Sequence, residues 1–176
     1  MKKITTLLVC LLALSGCASR EPRYEDSQNS IFIKTNYDAV DKLFATATVP
    51  IDRNTPMLVS TLVSIDDLNR SSRFGRLISE QISSRITQLG FNVTELKLRN
   101  SVAIKEDAGE LLLSRDVREL SKSHNAQAVL VGNYAVSANQ IYMTLKIVTV
   151  ADNRAVAAFN YMLPMTDNNA LMLKQQ

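Results

Sequence analysis

Apolar and polar positions along this 176-residue chain follow several distinct rhythms, and each rhythm predicts an element. Ala39, Val40, Leu43, Phe44 and Ala47 recur at helical spacing and mark one face of a first helix over about residues 37–46. Pro50 and Pro56 bracket the loop that follows. Residues 57–65 are apolar and β-branched with little interruption, which predicts a buried central strand ended by Asp66-Asp67. Phe74, Leu77, Ile78, Ile82, Ile86 and Leu89 then form the apolar stripe of a helix of about four turns, the clearest in the chain. Ser71 or Ser72 suits its N-cap, and Gly90 stands where a glycine ends such a helix. Residues 91–98 alternate in period two, as a half-exposed strand does. The unit is strand, helix, strand, with a right-handed crossover if the two strands are parallel.

Residues 100–113 hold no single rhythm and read as irregular, since both a short helix near Asp107 and an edge strand at 111–113 fit them. Ser114 caps a helix to about Ser123, with Val117 and Leu120 inward and Arg115, Arg118 and Lys122 outward. Three strands follow at 128–136, 141–150 and 155–163, joined by Ser137-Ala138-Asn139 and Ala151-Asp152-Asn153, both of hairpin length. In the middle one, Ile141, Met143, Leu145 and Ile147 alternate with Tyr142, Thr144, Lys146 and Val148, predicting one buried and one partly wet face. From Met165 the pattern fades, and residues 165–176 read as a loose tail. The order predicts an α/β (α+β) fold in one domain, residues 31–164: a mixed sheet of about five strands with helices packed on it, ending in an antiparallel meander.

The first sixteen residues do not belong to that domain. Lys2 and Lys3, an apolar run over residues 4–14 and the small Ser15-Gly16 have the layout of a secretory signal peptide. The run is about half the roughly 20 residues a membrane-spanning helix needs. Leu14-Ser15-Gly16-Cys17 resembles the bacterial lipobox, in which the cysteine is acylated and becomes the first residue of the mature chain. Cys17 is therefore the predicted lipid attachment site. Several acyl chains, each buried CH₂ contributing about 0.8 kcal/mol, would hold it at the membrane. Lipoproteins kept in the inner membrane tend to carry an aspartate after the cysteine; Ala18-Ser19 here points to the outer membrane, with the body on the periplasmic side. Residues 17–30 form a lipidated N-terminus and polar tether, of which residues 19–30 reach at most about 40 Å.

Composition narrows the chemistry. The formal net charge of +3 falls to +1 once Lys2 and Lys3 leave with the signal, so nucleic-acid binding loses its electrostatic basis. Cys10 leaves too and Cys17 is acylated, so no disulfide is expected. His124 is the only imidazole; Ser121 and Ser123 lie too close along the chain to complete a triad with it, and a place at a helix C-terminus suits it better. Asp66-Asp67 could hold a cation or act as acid and base, but adjacent residues at a strand end point different ways, which favours a turn. The glycines never form a phosphate loop, and Gly132 within a strand pattern implies a bulge or close backbone approach. Arg73, Arg76 and Arg85 flank the long helix, with Arg76 paired to Glu80 the expected arrangement. Asn69-Arg70-Ser71 and Asn92-Val93-Thr94 match the glycosylation sequon, an accident in a bacterial lipoprotein. No catalytic, metal or cofactor residues emerge, and the reading is non-enzymatic.

Four stretches together carry a likeness. They are residues 71–81 (Gly75-Arg76-Leu77-Ile78-Ser79-Glu80-Gln81 at their core), 89–96 around Gly90-Phe91-Asn92, 109–116 with Leu113-Ser114-Arg115-Asp116, and 128–134 with Val131-Gly132-Asn133-Tyr134. The chain resembles the FlgO-type flagellar outer-membrane lipoproteins over about residues 37–164. That resemblance implies a TolB N-terminal-like fold, no cofactor beyond the lipid on Cys17, and a role in assembling or stabilising the flagellum where it passes the outer membrane. It implies other flagellar outer-membrane proteins as partners, and a domain of this size is compatible with a homo-oligomer. A second reading is an activator of a peptidoglycan synthase or other envelope scaffold, since some lipoproteins of that role share the TolB-like fold. The short tether weighs against it. A secretion-channel subunit, the third reading, would need membrane-crossing hairpins, and Lys146 and Asn160 suit an ordinary core hairpin better.

Overall fold

The computed structural model describes residues 28–68, 71–95, 104–107, 110–113, 119 and 121–174. The chain divides into two units, Met1–Ile31 and Phe32–Gln176; of the first only residues 28–31 are described. Cys17 and nearly all of the expected tether lie outside the described residues.

Helix α1 spans Gln28–Ala45 and so begins nine residues before the sequence predicts. The early turns precede the stripe read from Ala39 and are anchored in their own right: the Phe32 ring packs edge-on to Phe74 at 6.2 Å, and Asn36 is fully buried. A buried asparagine in mid-stripe hides the helical period. Strand β1 (Met57–Val59) and strand β2 (Val63–Ser64) replace the single strand expected over 57–65. Both pair in parallel with strand β6 (Ala128–Val136), but Val59 faces Leu130 whereas Val63 faces Asn133. Three residues, Ser60-Thr61-Leu62, thus stand against two on β6, which is a bulge.

Helix α2 (Arg73–Gln88) follows with Ser72 as N-cap, its hydroxyl accepting from the Gly75 N–H, and Gly90 ends it at φ +83°. Strand β3 (Val93–Glu95) pairs in parallel with β1; residues 96–98 of the expected strand are not described. The stretch read as irregular contains a hairpin of its own, strands β4 (Ile104–Asp107) and β5 (Glu110–Leu113), paired antiparallel as a separate two-stranded sheet. Its short strands carry no clean alternation, which is why the sequence concealed it. Of the helix expected over 114–123, only residues 119 and 121–123 are described, and they are helical.

The meander is as expected to within a residue: β6, strand β7 (Gln140–Thr149) and strand β8 (Ala155–Pro164), all antiparallel. The main sheet runs β3-β1-β6-β7-β8, with β2 also beside β6. On one face, Val40 and Leu43 of α1 and Phe74, Ile78, Ile82 and Ile86 of α2 bury Leu130, Ile141, Met143, Leu145 and Ile147. On the other, a smaller cluster holds Leu58, Val129, Val131, Val148 and Val150. The expected loose tail is instead partly ordered: Thr166 caps helix α3 (Asp167–Leu173), which buries Asn169, and the Leu171 carbonyl accepts from Arg73 at 2.9 Å. Seven residues are too few to show an apolar period. The outer edge of β8 is blunted near both ends, by Thr48 N–H donating to the Val156 carbonyl at 2.8 Å and Asn169 donating to the Pro164 carbonyl at 2.8 Å.

Candidate functional site

The structure does not gather the residues singled out by chemistry. Asp66 and Asp67 form a turn on Ser64, the Asp66 N–H donating to the Ser64 hydroxyl at 3.2 Å and the Asp67 N–H to the Ser64 carbonyl at 3.3 Å. Among the described residues no group of three His, Cys, Asp or Glu side chains is placed to hold a metal ion. His124 is exposed in the turn after the helical residues 121–123, whereas Ser121 is fully buried, so the two sit in different surroundings. Arg85 makes a bidentate pair with Asp41 at 2.8 and 2.6 Å and lies over the Tyr37 ring; the bond to Asp41 raises its pKa further. Arg76 donates to the Ser71 carbonyl at 3.1 Å rather than to Glu80. With Arg73 on Leu171, all three arginines of α2 are engaged within the chain.

Gly132 is a close approach and not a bulge in the meander, because the β6–β7 register runs through it unbroken. A Cβ there would stand 2.9 Å from Leu62 Cγ, Leu145 Cδ2 and the Thr144 carbonyl. Opposite, a Cβ on Gly75 would stand 2.1 Å from the Leu62 carbonyl oxygen. The bulge is therefore held between two glycines, and the Ser79 hydroxyl accepts the Leu62 N–H at 2.9 Å.

Buried polar groups tie the helices to the sheet. Tyr161 donates to Asn36 Oδ1 at 2.7 Å, and Asn36 Nδ2 donates to Gln81 at 2.7 Å. Burial pushes the Tyr161 phenol well above its ordinary pKa, and Tyr134, bonded to the Ser72 hydroxyl at 2.7 Å, is raised for the same reason. These groups stay neutral and hold structure.

The described residues also form a groove. It encloses about 560 Å³ between the loop after α1 and the end of α2. Phe44 and Phe91, with ring centroids 4.6 Å apart, form its floor; Val49, Ile51 and Leu89 line its sides. The Arg53 guanidinium lies over the Phe91 ring at 5.4 Å and makes no ion pair among the described residues, while the Asp41 carboxylate, also in the lining, is already taken by Arg85. The loop carrying Arg53 is stiffened. Gln127 donates to the Asp52 carbonyl and to the Thr55 carbonyl at 2.8 Å, and accepts from the Asp52 N–H at 3.0 Å. Thr55 donates to the Asp52 carboxylate at 2.6 Å, which lowers that carboxyl below the usual range. Sequence reasoning missed this place. Its signal was an apolar Val49-Pro50-Ile51 inside a loop, where polar residues are the rule.

Among the described residues no helix is long and apolar enough to cross a membrane. The family described as FlgO protein matches residues 37–168. The chain belongs to that family. A search of curated proteins found none that matches. Among solved structures the chain is similar to the LpoB C-terminal domain from Escherichia coli, with a TM-score of 0.53 at 9% identity over 73% of this chain and 95% of that one. The same domain from Salmonella enterica gives 0.51 at 14% identity over 73% and 95%. The solution structure of E. coli LpoB gives 0.51 at 12% identity, over 73% of this chain and 66% of that chain. At these identities the likeness shows a shared fold: a mixed α+β domain with a six-stranded mixed sheet.

Proposed function

We propose that this FlgO-family protein is a non-enzymatic outer-membrane lipoprotein, anchored through acylated Cys17 with its domain on the periplasmic side, that supports assembly or stability of the flagellum at its outer-membrane passage. The observation that carries the reading is the family match over residues 37–168, most of the folded domain. The lipobox ending at Cys17 supports the anchor, and the fold shared with LpoB domains supports a place in the envelope. No cofactor is invoked beyond the lipid. Partners are the membrane, through that lipid, and other flagellar outer-membrane proteins; a homo-oligomer around the flagellar rod is compatible with the reading.

The test compares swimming and flagellar number in wild type, a deletion strain and a strain whose only copy carries Cys17→Ala. The deletion is expected to swim poorly, and the exported Cys17→Ala protein to behave like the deletion. A deletion strain with normal motility and flagella overturns the flagellar reading. The second reading, an activator of a peptidoglycan synthase or another envelope scaffold, is partly favoured by the LpoB-like fold. Direct binding to a synthase with faster glycan polymerisation would put it first.

A further inference from the structure

We propose that the groove between the loop after α1 and the end of α2 binds an extended segment of a partner protein in which apolar side chains are followed by a carboxylate. This goes beyond the reading above and does not depend on where in the envelope the protein acts.

Size and lining set the class of occupant. About 560 Å³ falls in the range of roughly 300–1,000 Å³ typical of ligand sites, enough for two or three side chains but not for a folded element. The paired rings of Phe44 and Phe91, with Val49, Ile51 and Leu89 beside them, offer an apolar floor that gains from covering. Charge selects further. Asp41, in the lining, is engaged by Arg85, and Asp52, next to Arg53 in the chain, by Thr55 and the Asn54 N–H. Arg53 makes no ion pair among the described residues: its guanidinium has five N–H donors and lies over the face of Phe91 at 5.4 Å. A carboxylate meeting it there would form a bidentate, charge-assisted pair.

Backbone groups of the lining loop favour a polypeptide over a lipid. The Val49 and Ile51 N–H groups donate no hydrogen bond among the described residues, and Pro50 between them has none to give. An extended chain presents a carbonyl at every residue to such donors, whereas the hydrocarbon tail of a lipid, the part an apolar groove would take, presents none. The backbone that carries Arg53 is also held before anything binds, by the Gln127 clamp on residues 52–55, so little conformational freedom is lost there on association.

The experiment uses the full-length protein in detergent and two fluorescein-labelled probes: a blocked peptide with the core Leu-Phe-Asp-Glu, and its Leu-Phe-Asn-Gln counterpart. Fluorescence anisotropy is expected to show the acidic peptide binding about tenfold more tightly, one charge-assisted contact's worth. Arg53→Gln is expected to erase that preference while leaving thermal unfolding unchanged. Val49→Asp, at a position already 38% exposed, is expected to weaken the acidic peptide most. Equal binding of the two peptides, or a preference that survives both substitutions, overturns the proposal. So does displacement of the peptide by phosphatidylglycerol vesicles but not by unlabelled peptide, which would assign the groove to lipid. Self-association on concentration that both substitutions abolish would assign it to a second copy and overturn the proposal equally.

Discussion

Strand β6 has two neighbours that treat it differently. On one side β7 follows it residue for residue, from Ala128 opposite Thr149 to Val136 opposite Ile141. On the other, β1 follows it for three residues, leaves the ladder over Ser60-Thr61-Leu62, and returns as β2 one residue out of step. The meander side is governed by alternation, in which each side chain need only match the one across from it. The parallel side is governed by α2, which crosses so close that one of its residues must be a glycine and another must supply the hydroxyl that replaces a ladder partner. Regular pairing is a local property here, and the interruption is a tertiary one.

The largest expected effect tests that claim directly. Replacing Gly75 by alanine would gain about 0.5–1 kcal/mol in an ordinary helix interior. Here the added Cβ meets the Leu62 carbonyl oxygen at 2.1 Å, a backbone atom that cannot swing aside. Overpacking of this kind should cost about 3 kcal/mol or more, read as a lower urea midpoint at unchanged slope. Gly132→Ala is the companion on the meander side. Its Cβ would meet two leucine side chains as well as the Thr144 carbonyl, all at 2.9 Å, and side chains can give way, so a loss of about 1–3 kcal/mol is expected. If Gly75→Ala proves as stable as wild type, the close crossing of α2 over the bulge does not exist in solution.

That asymmetry also explains what could be read before folding was known. The meander was legible because Ile141, Met143, Leu145 and Ile147 carry their burial in a period of two, and Asn153, at φ 57°, sits in the turn where its type belongs. Helix α2 was legible from its stripe, its Ser72 cap and Gly90. What failed lay where the deciding contact is distant in sequence. Residues 57–65 look like one strand because nothing local marks the break: Leu62 leaves the ladder on account of Ser79, seventeen positions away. The start of α1 was hidden by Asn36, whose burial makes sense only once Gln81 and Tyr161 stand beside it. Of the candidate site, Phe44 was read only as part of a helix face and Arg53 not at all. The groove they share is assembled from the loop after α1 and the turn after α2, and no pattern within either segment joins the two.

A middle-sized effect sharpens the same comparison. Ser79 is 8% exposed, accepts the Leu62 N–H and donates to the Gly75 carbonyl at 2.9 Å. Alanine is the better helix former, so helix propensity alone predicts a small gain. Leaving the Leu62 amide buried and unsatisfied should outweigh it, with a net loss of about 1–3 kcal/mol. Ser84→Ala provides the contrast: Ser84 is exposed and its hydroxyl returns only to the Glu80 carbonyl four residues back, so that change should be neutral or slightly stabilising. Equal outcomes at the two serines would mean that α2 helicity, rather than the repair of the bulge, sets their effect.

The smallest effect belongs to the meander's outer face. Tyr142 and Met162 stand directly opposite each other on β7 and β8, and they are 50% and 53% exposed. A cross-strand pair of this kind contributes about 0.2–1 kcal/mol, part of it already lost to solvent. Tyr142→Ser should therefore lower stability by no more than about 0.5 kcal/mol, although it removes a larger side chain than either glycine or serine change alters. The reason is that ladder regularity on this side rests on the inward residues Ile141, Met143 and Leu145, which are at most 1% exposed. A loss above about 1.5 kcal/mol in the isolated protein would place Tyr142 under cover in solution, and the meander would then owe its regularity to both faces rather than to one.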